Sequence, residues 1–578
     1  MNYFEQFLQS RNLTEESLIQ LFSYEKMYVK NTDEVCNVLH TLDKTCRIGL
    51  ITDYDVDGLM SGVVGYLGFN IVGFTNVSIS RRYVDRGYSF SREDVDNLGD
   101  IDVLITADVG VSCYDAIAYA KSKGIYVIVT DHHIPMNGIA NNQADIIVDY
   151  VLDSNFTDSA IEICGAYTIY QIFERYFELY GSEYSNISEI NSDLIKVRHL
   201  AAIATVADSM PLIGLNHHIV SEMLKFFNYI NPINGSDDIV KSICYNGVLQ
   251  NVYNNMHTFV NANIDSYYVG FDMIFLDFTF NPILNSVKRM CDDTAIIYNM
   301  FFGTASDAEE AADYLVQLNT KRKVLVSELF ERMYVERIDQ PYRDIIYMTE
   351  APSGILGLLA TKVINDTGLP NIVLNREMRF NDELGQWVYE GSIRSPKWYP
   401  FFSRVTSSGL AICAGHEYSC GIKVPVGNLS LLYSFICDEI ARYGVVKDRP
   451  VVKSQLLDSF EVVLDYDENF FDFTPDVERF MYDMHRFAPF GAGFPEPRIM
   501  LKFHKQHGDV RLLKDGKHVK ITIKPYFDIL LWNTDYSEIE VSTDSDFVYL
   551  TGSLRTSYFQ GEKRINFVAT TVLNGSEI

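Results

Sequence analysis

The sequence predicts a protein of several α/β domains that ends in a small β-barrel. Between residues 46 and 130, short β-branched runs alternate with helix-like segments, as in a parallel sheet covered on both faces. Residues 456–578 change to short strands with alternating polar and apolar positions, separated by turn residues, which is typical of a barrel. At 578 residues the chain is too long for one hydrophobic core, so several domains are expected.

Four segments are predicted along the chain. Residues 1–215 form an α/β domain with a parallel sheet, and the helices within 1–45 are expected to buttress that sheet. Residues 216–340 have helical periodicity with charge pairs four residues apart, which predicts a helical connector. A second, smaller α/β domain is expected over 341–450, and the barrel over 451–578.

Charge and cysteine content narrow the class of protein. A formal net charge of −29 argues against non-specific coating of nucleic acid, so any nucleic-acid path must be a local groove. The nine cysteines contain no C-x-x-C pair, which indicates reduced thiols and no structural zinc. The amino terminus has no signal-peptide pattern, and no apolar run approaches about 18 residues. We therefore expect a cytoplasmic protein with no membrane partner. We also expect a monomer.

Acidic and imidazole side chains recur directly after the β-branched runs of the first domain. They occur in ITDYDVDG (51–58), ITADVG (105–110) and VTDHHIP (129–135), and ATVADSMPL (204–212) adds one more aspartate. The runs before the first three segments are short and apolar enough to be buried strands of a parallel sheet. A carboxylate just beyond such a strand lies at the carboxyl edge, where open α/β sheets bind ligands. This edge is the predicted functional site.

The donor types at this edge suit a pair of divalent cations. Two cations a few ångströms apart need a bridging carboxylate, further carboxylates and, where Mn²⁺ is preferred, a nitrogen ligand. Asp55 and Asp57 are assigned to different cations, and Asp53 is either a third ligand or a residue that orients one. Asp108, alone after its strand, is the predicted bridge. The predicted metal ligands are Asp53, Asp55, Asp57, Asp108, His132 and Asp208, with Mn²⁺ as the expected cation and Mg²⁺ as the alternative.

The two histidines of the third segment are given different roles. His132 is expected to ligate a cation, and Asp131 is expected to orient a neighbouring histidine. Paired cations of this kind are typical of enzymes that hydrolyse phosphate esters, and His133 is expected to contact the scissile phosphate of such a substrate. Taken singly, a D-x-D-x-D-G segment is often a turn or a calcium loop, and Asp-His-His is often a polar loop. An EF-hand would also need a carboxylate about twelve residues from its first ligand, together with flanking helices. Four acidic segments in one α/β domain favour the metal site.

These segments resemble the four motifs of the DHH phosphoesterase superfamily, which is named for the triplet found here at 131–133. Residues GSIRS (391–395) and AGHEYSCG (414–421) resemble the phosphate-binding and G-G-H motifs of the associated second domain, DHHA1. Residues RFAPFGAGFPEP (486–497) resemble the segment that leads into the oligonucleotide-binding (OB-fold) barrel of the RecJ exonucleases. The resemblance covers nearly the whole chain, in a RecJ-like domain order.

The chain also departs from the family pattern. Ala414 stands where the second-domain motif normally has its first glycine. The usual P-R-x-N-A-x-G-R reads PILNSVKR over 282–289, so Lys288 stands in the place of a glycine. Some members of the superfamily have a histidine where Ile51 stands, which makes Asp53 the substitute ligand.

The resemblance implies a metal-dependent exonuclease in DNA recombination, repair or replication. It implies hydrolysis of single-stranded DNA from the 5′ end to 5′-mononucleotides by two-metal water activation, with a helicase or a single-strand-binding protein as candidate partners. The implied catalytic residues are Asp108, His132, His133, Arg394 and His416. The implied substrate-binding residues are Arg82, Arg289, Ser392, Arg394, Gly415 and His416. In the barrel, Lys520, Arg555, Tyr558 and Lys563 are candidates for contacts to nucleic acid.

Two alternatives are weighed against this function. A DHH phosphodiesterase that acts on short oligonucleotides or cyclic dinucleotides would generally resemble only the first two domains, so residues 456–578 argue against it. A non-catalytic RecJ-like replication scaffold would have lost metal ligands, whereas the predicted set is present here. Digestion of end-labelled single-stranded DNA with Mn²⁺ distinguishes the three.

Overall fold

The computed structural model has the mixed α/β architecture expected from the sequence. The described residues are 2–80, 90–135, 138, 140–158, 161–230, 244–263, 271–336, 345–381, 384–442, 460–466, 472–504, 506, 508–513, 518–524, 527–532, 546–559 and 562–573. Of the predicted site residues, Arg82 lies outside this set, and the side chains of His416 and Tyr558 are not described.

The first domain is built on a parallel sheet with helices on its faces. Its helices are α1 (Tyr3–Ser10), α2 (Glu15–Phe22), α3 (Thr32–Thr41), α4 (Val56–Val72), α5 (Arg92–Asp96), α6 (Tyr114–Ser122), α7 (Ser154–Asp158), α8 (Gly165–Tyr180) and α9 (Ile187–Ala207). Its strands are β1 (Ile48–Thr52), β2 (Val77–Ile79), β3 (Val103–Ala107), β4 (Tyr126–Asp131) and β5 (Ile146–Asp149). The strand order is β2-β1-β3-β4-β5, and every neighbouring pair is parallel. Helix α4 is buried on nearly all sides because α8 and α9 both pack against it, which agrees with its apolar sequence.

The first two helices correct one expectation from the sequence. Helix α3 packs on α8 beside the sheet, but α1 and α2 bury their apolar faces in the core of the carboxy-terminal domain. Phe4 stacks on Phe487 with ring centroids 6.0 Å apart. Arg11 Nε donates to Glu461 Oε1 at 2.8 Å, which closes the contact with an ion pair. Helices α1 and α2 therefore join the first and last domains, whereas α3 packs beside the first sheet.

The connector is helical, as predicted, and shares one hydrophobic core with the first domain. Its helices are α10 (Gly214–Ile230), α11 (Gly247–Asn263), α12 (Met273–Phe275), α13 (Asn281–Met290), α14 (Ala295–Phe302) and α15 (Ala305–Glu336), with a π-helical turn at Leu276–Phe280 before α13. Helix α15 has 32 residues, so it is about 48 Å long. Its first half packs in the first core, while Val326, Leu329 and Met333 pack with the second α/β domain.

The second α/β domain has a five-stranded sheet of order β6-β7-β8-β10-β9. Strand β6 pairs parallel to β7, and the other pairs are antiparallel. Its elements are β6 (Ile346–Thr349), α16 (Ser353–Thr367), β7 (Asn371–Asn381), β8 (Gln386–Arg394), α17 (Phe401–Ser408), β9 (Ile412–His416), β10 (Ser419–Pro425) and α18 (Leu429–Arg442).

The carboxy-terminal domain has one helix and a seven-stranded sheet of order β11-β12-β16-β17-β15-β14-β13 among the described residues. Its elements are β11 (Val462–Asp465), α19 (Phe473–His485), β12 (Ile499–His504), β13 (Asp509–Leu513), β14 (His518–Lys524), β15 (Phe527–Trp532), β16 (Phe547–Phe559) and β17 (Glu562–Leu573). None of the described helices is both long enough and apolar enough to cross a membrane.

Candidate metal centre and phosphate-binding cleft

The parallel strands bring the predicted acidic segments together at one edge of the sheet. Thr52 is in register with Ala107, and Ala107 with Thr130, so β1, β3 and β4 end side by side. Asp53 and Asp108 follow directly after β1 and β3, and both are almost fully buried. The convergence thus comes from strand register, as it does in other open α/β sheets.

Asp108 lies at the centre of the cluster and is held there by a strained backbone. Its φ of 62° is left-handed, which non-glycine residues rarely adopt. Its amide donates to Thr130 O at 3.0 Å, which anchors the turn to β4. From this position Asp108 Oδ1 lies 2.9 Å from His132 Nε2.

Asp57 is fixed by the amino terminus of α8. The amides of Gly165 and Ala166 donate to its two carboxylate oxygens at 2.7 and 2.8 Å. Burial raises the pKa of Asp57, and the two amide hydrogen bonds act against this shift because helix amino termini favour negative charge. The contact therefore orients the carboxyl group and stabilises its ionised form. Asp57 Oδ2 lies 3.6 Å and Asp208 Oδ2 lies 3.8 Å from His132 Nε2.

The donors form three overlapping groups, and Asp108 is common to two of them. One group is Asp57, His132 and Asp208; the second is Asp53, Asp55 and Asp108; the third is Asp108, His132 and His133. Within each group the ligand atoms lie within 4.8 Å of one another. Asp55 and Asp57 fall in different groups. Seven residues that offer oxygen or nitrogen donors in this way fit two hard or borderline divalent cations such as Mn²⁺ or Mg²⁺.

Asp131 orients His133. Its Oδ1 lies 2.8 Å from His133 Nδ1, and its Oδ2 accepts from the Val111 amide at 2.9 Å. Burial alone would lower the pKa of His133, but the hydrogen bond and the charge of Asp131 outweigh it and raise this pKa to about 9. His133 is therefore cationic at neutral pH and presents a positive group beside Asp108.

Burial and crowding of like charges raise the pKa of several carboxyl groups at this edge. Burial and the charge of Asp57 raise the pKa of Asp208 to about 7, and burial with Asp57 and Asp55 raises that of Asp108 well above its ordinary range. Burial and Asp131 raise the pKa of Asp149 to about 7. Carboxyl groups that hold protons so tightly mark an excess of negative charge, which bound divalent cations would offset. Asp149, the last residue of β5, is not among the site residues predicted from the sequence.

A cluster of arginines faces the same region from the connector and the second domain. Arg394, the last residue of β8, donates to Ser392 Oγ at 3.2 Å and to Thr361 Oγ1 at 3.2 Å. Arg289 donates to Gly354 O at 3.1 Å. Burial lowers the pKa of Arg289 to about 10, and the charges of Arg322 and Arg394 contribute to this shift. Like charges held together in this way point to an anionic ligand.

The arginines adjoin a cavity of ≈ 210 Å³ whose lining includes Ser209, one residue beyond Asp208. Arg289 and Arg322 both line this cavity, so two of the arginines lie next to the segment that carries Asp208. Arg322 lies near the middle of α15 and was not predicted, because a single arginine on a long charged helix has no local signal.

Gly415 has φ 129°, and a Cβ there would lie 3.0 Å from Cys420 Cα, so a glycine is needed at this turn.

The predicted basic contacts of the carboxy-terminal domain all have acidic partners. Lys520 Nζ lies 2.8 Å from Asp528, and Lys563 Nζ lies 3.7 Å from Glu478. Arg555 forms a two-pronged pair with Glu496, at 3.0 Å for each prong. Their role in binding nucleic acid stays a prediction.

Comparison with known proteins supports the motif-based resemblance. Residues 47–205 match the DHH family, N-terminal domain, and residues 472–570 match the RecJ OB domain. The chain is 25% identical over 502 residues to the single-stranded-DNA-specific exonuclease RecJ of Escherichia coli (strain K12), covering 83% of this chain and 78% of that protein. The chain is RecJ-like. The resemblance predicted from the sequence is thereby confirmed.

Further RecJ proteins agree with this result. The chain is 23% identical over 514 residues to RecJ of Bacillus subtilis (strain 168), covering 87% of this chain but only 58% of that protein. The crystal structure of RecJ from Thermus thermophilus in complex with Mn²⁺ matches with a TM-score of 0.70 and 19% identity. That match covers 98% of this chain and 75% of the other, and it confirms the predicted fold class.

Proposed function

We propose that this RecJ-like chain is a metal-dependent exonuclease that degrades single-stranded DNA. The observation that carries the proposal is Asp108, which is shared between two groups of metal donors. Arg289 and Arg322 add to it, because they line a cavity that reaches Ser209, the residue after Asp208. Paired cations and neighbouring arginines can together stabilise the negative charge that develops during phosphodiester hydrolysis. The relatives named as single-stranded-DNA-specific exonucleases support the choice of substrate.

The donors divide between two cation positions. Asp57, His132 and Asp208 would hold one cation, and Asp53 and Asp55 the other, with Asp108 between them. When bound, two Mn²⁺ or Mg²⁺ ions supply Lewis acidity and a water of lowered pKa. The helix α8 amides keep Asp57 in place for this purpose.

The remaining charged groups would hold the substrate. Arg289, Arg322 and Arg394 would bind phosphate oxygens with charge-assisted hydrogen bonds. His133, which Asp131 keeps oriented and protonated, would donate to a non-bridging oxygen of the scissile phosphate as negative charge develops there. Ser392, Gly415 and His416 complete the proposed substrate site on the second domain.

The finer features of the proposal rest on the family resemblance. We propose cleavage from the 5′ end to 5′-mononucleotides, in DNA recombination, repair or replication, by a cytoplasmic monomer. The carboxy-terminal domain would guide the single strand, and a helicase or a single-strand-binding protein would supply it.

The test is digestion of single-stranded DNA by the full chain with Mn²⁺. With a 3′ label, 5′→3′ degradation gives a ladder of shortening fragments; with a 5′ label it gives labelled mononucleotide from the start. Cleavage confined to di- to tetramers would indicate the short-oligonucleotide phosphodiesterase, and binding without turnover the scaffold. Asp108→Asn is the control, and it should leave the protein folded and inactive.

A further inference from the structure

A lysine from the connector lies against the metal-binding edge. Lys288, in the last turn of α13, places Nζ 3.2 Å from Asp55 Oδ2. The same Nζ lies 4.8 Å from the centroid of the Tyr54 ring, so a cation–π contact holds it as well. Burial would lower the pKa of Lys288, but the charges of Asp55 and Asp53 outweigh it and raise this pKa.

The helix that carries Lys288 is fixed on both sides. At its end Cys291 adopts a left-handed φ of 56°, which closes the helix. The next residue, Arg289, contacts the first turn of α16, where a Cβ on Gly354 would lie 2.7 Å from Arg289 O. Because α13 is fixed between the two domains, Lys288 is held over Asp55 by the fold.

This contact makes the two groups of metal donors unequal. Asp55 belongs to the group with Asp53 and Asp108, so that group already has a positive charge in place. In the described part of the chain, neither Asp57 nor Asp208 forms an ion pair with a lysine or arginine.

We propose that Lys288 is a built-in counter-ion that weakens cation binding at the Asp53–Asp55–Asp108 position. A cation that enters there must displace the ammonium group from Asp55 or tolerate its repulsion at close range. Among the described residues no lysine or arginine pairs with the Asp57–His132–Asp208 position, so this position binds first. The metal pair is therefore completed only at a higher concentration of divalent cation, which makes activity responsive to that concentration. This inference rests on the proposed metal centre.

The family pattern usually has a glycine at the position of Lys288. The positive charge beside Asp55 is therefore a feature of this chain and not of that pattern. A glycine has no side chain to reach Asp55. Replacing Lys288 should therefore change the binding of metal, and not only the rate of reaction.

The experiment is a titration of the metal-free full chain with Mn²⁺ alone. Free Mn²⁺ is followed by electron paramagnetic resonance, and the heat by calorimetry. The wild type should bind two ions in two separated phases. Lys288→Met should tighten the weaker phase at least tenfold, and Lys288→Arg should leave it weak because the charge is kept.

Lys502→Met is the matched control. Lys502 likewise pairs with one aspartate, Asp465 at 2.6 Å, and lies 4.9 Å from the ring centroid of Phe547, but it belongs to β12 of the last domain. This variant should bind Mn²⁺ as the wild type does. Lys288→Gln is a second neutral variant, and thermal unfolding without metal checks that each protein is folded.

The outcomes separate this inference from the proposed function. If the wild type binds no Mn²⁺, the metal centre itself is wrong. If the wild type binds two ions equally tightly, or if both neutral variants bind the second ion no more tightly than wild type, the role of Lys288 is wrong and the metal centre stands.

Discussion

Asp108 Oδ1 lies 2.9 Å from His132 Nε2, and Gly165 lies directly behind the aspartate. A Cβ on Gly165 would come within 2.4 Å of Asp108 Cβ. The same glycine donates its amide to Asp57 at 2.7 Å. One small residue at the start of α8 thus allows the two carboxylates to approach each other, since any larger side chain would push Asp108 away.

Gly165→Ala is expected to disrupt this arrangement. The added methyl group cannot fit without moving Asp108 or the α8 amides, which should cost about 1–3 kcal/mol of stability. We expect at least a tenfold loss of Mn²⁺ affinity and of exonuclease activity, measured by metal titration and by release of labelled nucleotide. Gly247→Ala is the control, because Gly247 also begins a helix but a Cβ there would meet nothing within 4 Å. Equal effects of the two variants would contradict the assigned role of Gly165.

Arg322→Gln is expected to weaken substrate binding. Removing one of three clustered guanidinium groups should cost about 1–2 kcal/mol of affinity for 5′-phosphorylated single-stranded DNA and reduce the salt dependence. Fluorescence anisotropy at several salt concentrations, with Ca²⁺ in place of Mn²⁺ to slow cleavage, measures both. Arg332→Gln is the matched control, since Arg332 is an exposed residue of the same helix. The same loss in both variants would indicate a general charge effect and remove Arg322 from the site.

The position of the acidic edge could be predicted from the sequence because it depends on local features. Asp53, Asp108 and Asp131 each end or follow a β-branched run, and the ends of parallel strands lie side by side in register. The local pattern of β-branched runs followed by acidic residues was therefore enough to predict which side chains lie together at this edge. The metal-binding roles of these residues stay predictions.

The rest of the site depends on contacts between distant parts of the chain. Lys288 and Arg322 lie on helices whose sequence pattern shows which face is buried, but not what covers it. The same limit explains the error over α1, whose amphipathic pattern is satisfied equally well by the first sheet or by the carboxy-terminal core in which Phe4 packs. The spacing of apolar residues in α1 does not show which of these two surfaces the helix packs on.

A buried histidine in α9 should make stability fall in acid. His199 packs on Phe226 with ring centroids 4.7 Å apart, and burial, with the charges of Arg198 and Lys196, lowers its pKa to about 3. Because the unfolded state takes up a proton near pH 6.5 and the folded state does not, the contribution is full above that pH and is lost as pH falls towards 3. The loss between pH 7 and pH 5 should be about 2 kcal/mol.

His199→Phe removes this titration while keeping a ring against Phe226. Urea unfolding at pH 7 and pH 5 should show a smaller loss of stability in this variant than in wild type. His218→Gln, at an exposed histidine of α10, should keep the wild-type difference. A wild-type-sized loss in His199→Phe would mean that His199 does not carry the effect.

Glu496→Gln is expected to strengthen binding of single-stranded DNA by the carboxy-terminal domain. Glu496 occupies both prongs of Arg555 at 3.0 Å, and both side chains are about a third exposed or more, so the pair itself adds little to stability. The neutral variant frees the guanidinium group for a phosphate, and the slope of log affinity against log salt should steepen by about 0.7. Glu336→Gln removes the same charge from the pair with Arg376 at 2.7 Å, outside this domain, and should leave both quantities unchanged. An increase shared by both variants would reflect only the reduced acidity of the chain, because a local contact at Arg555 responds to Glu496 alone.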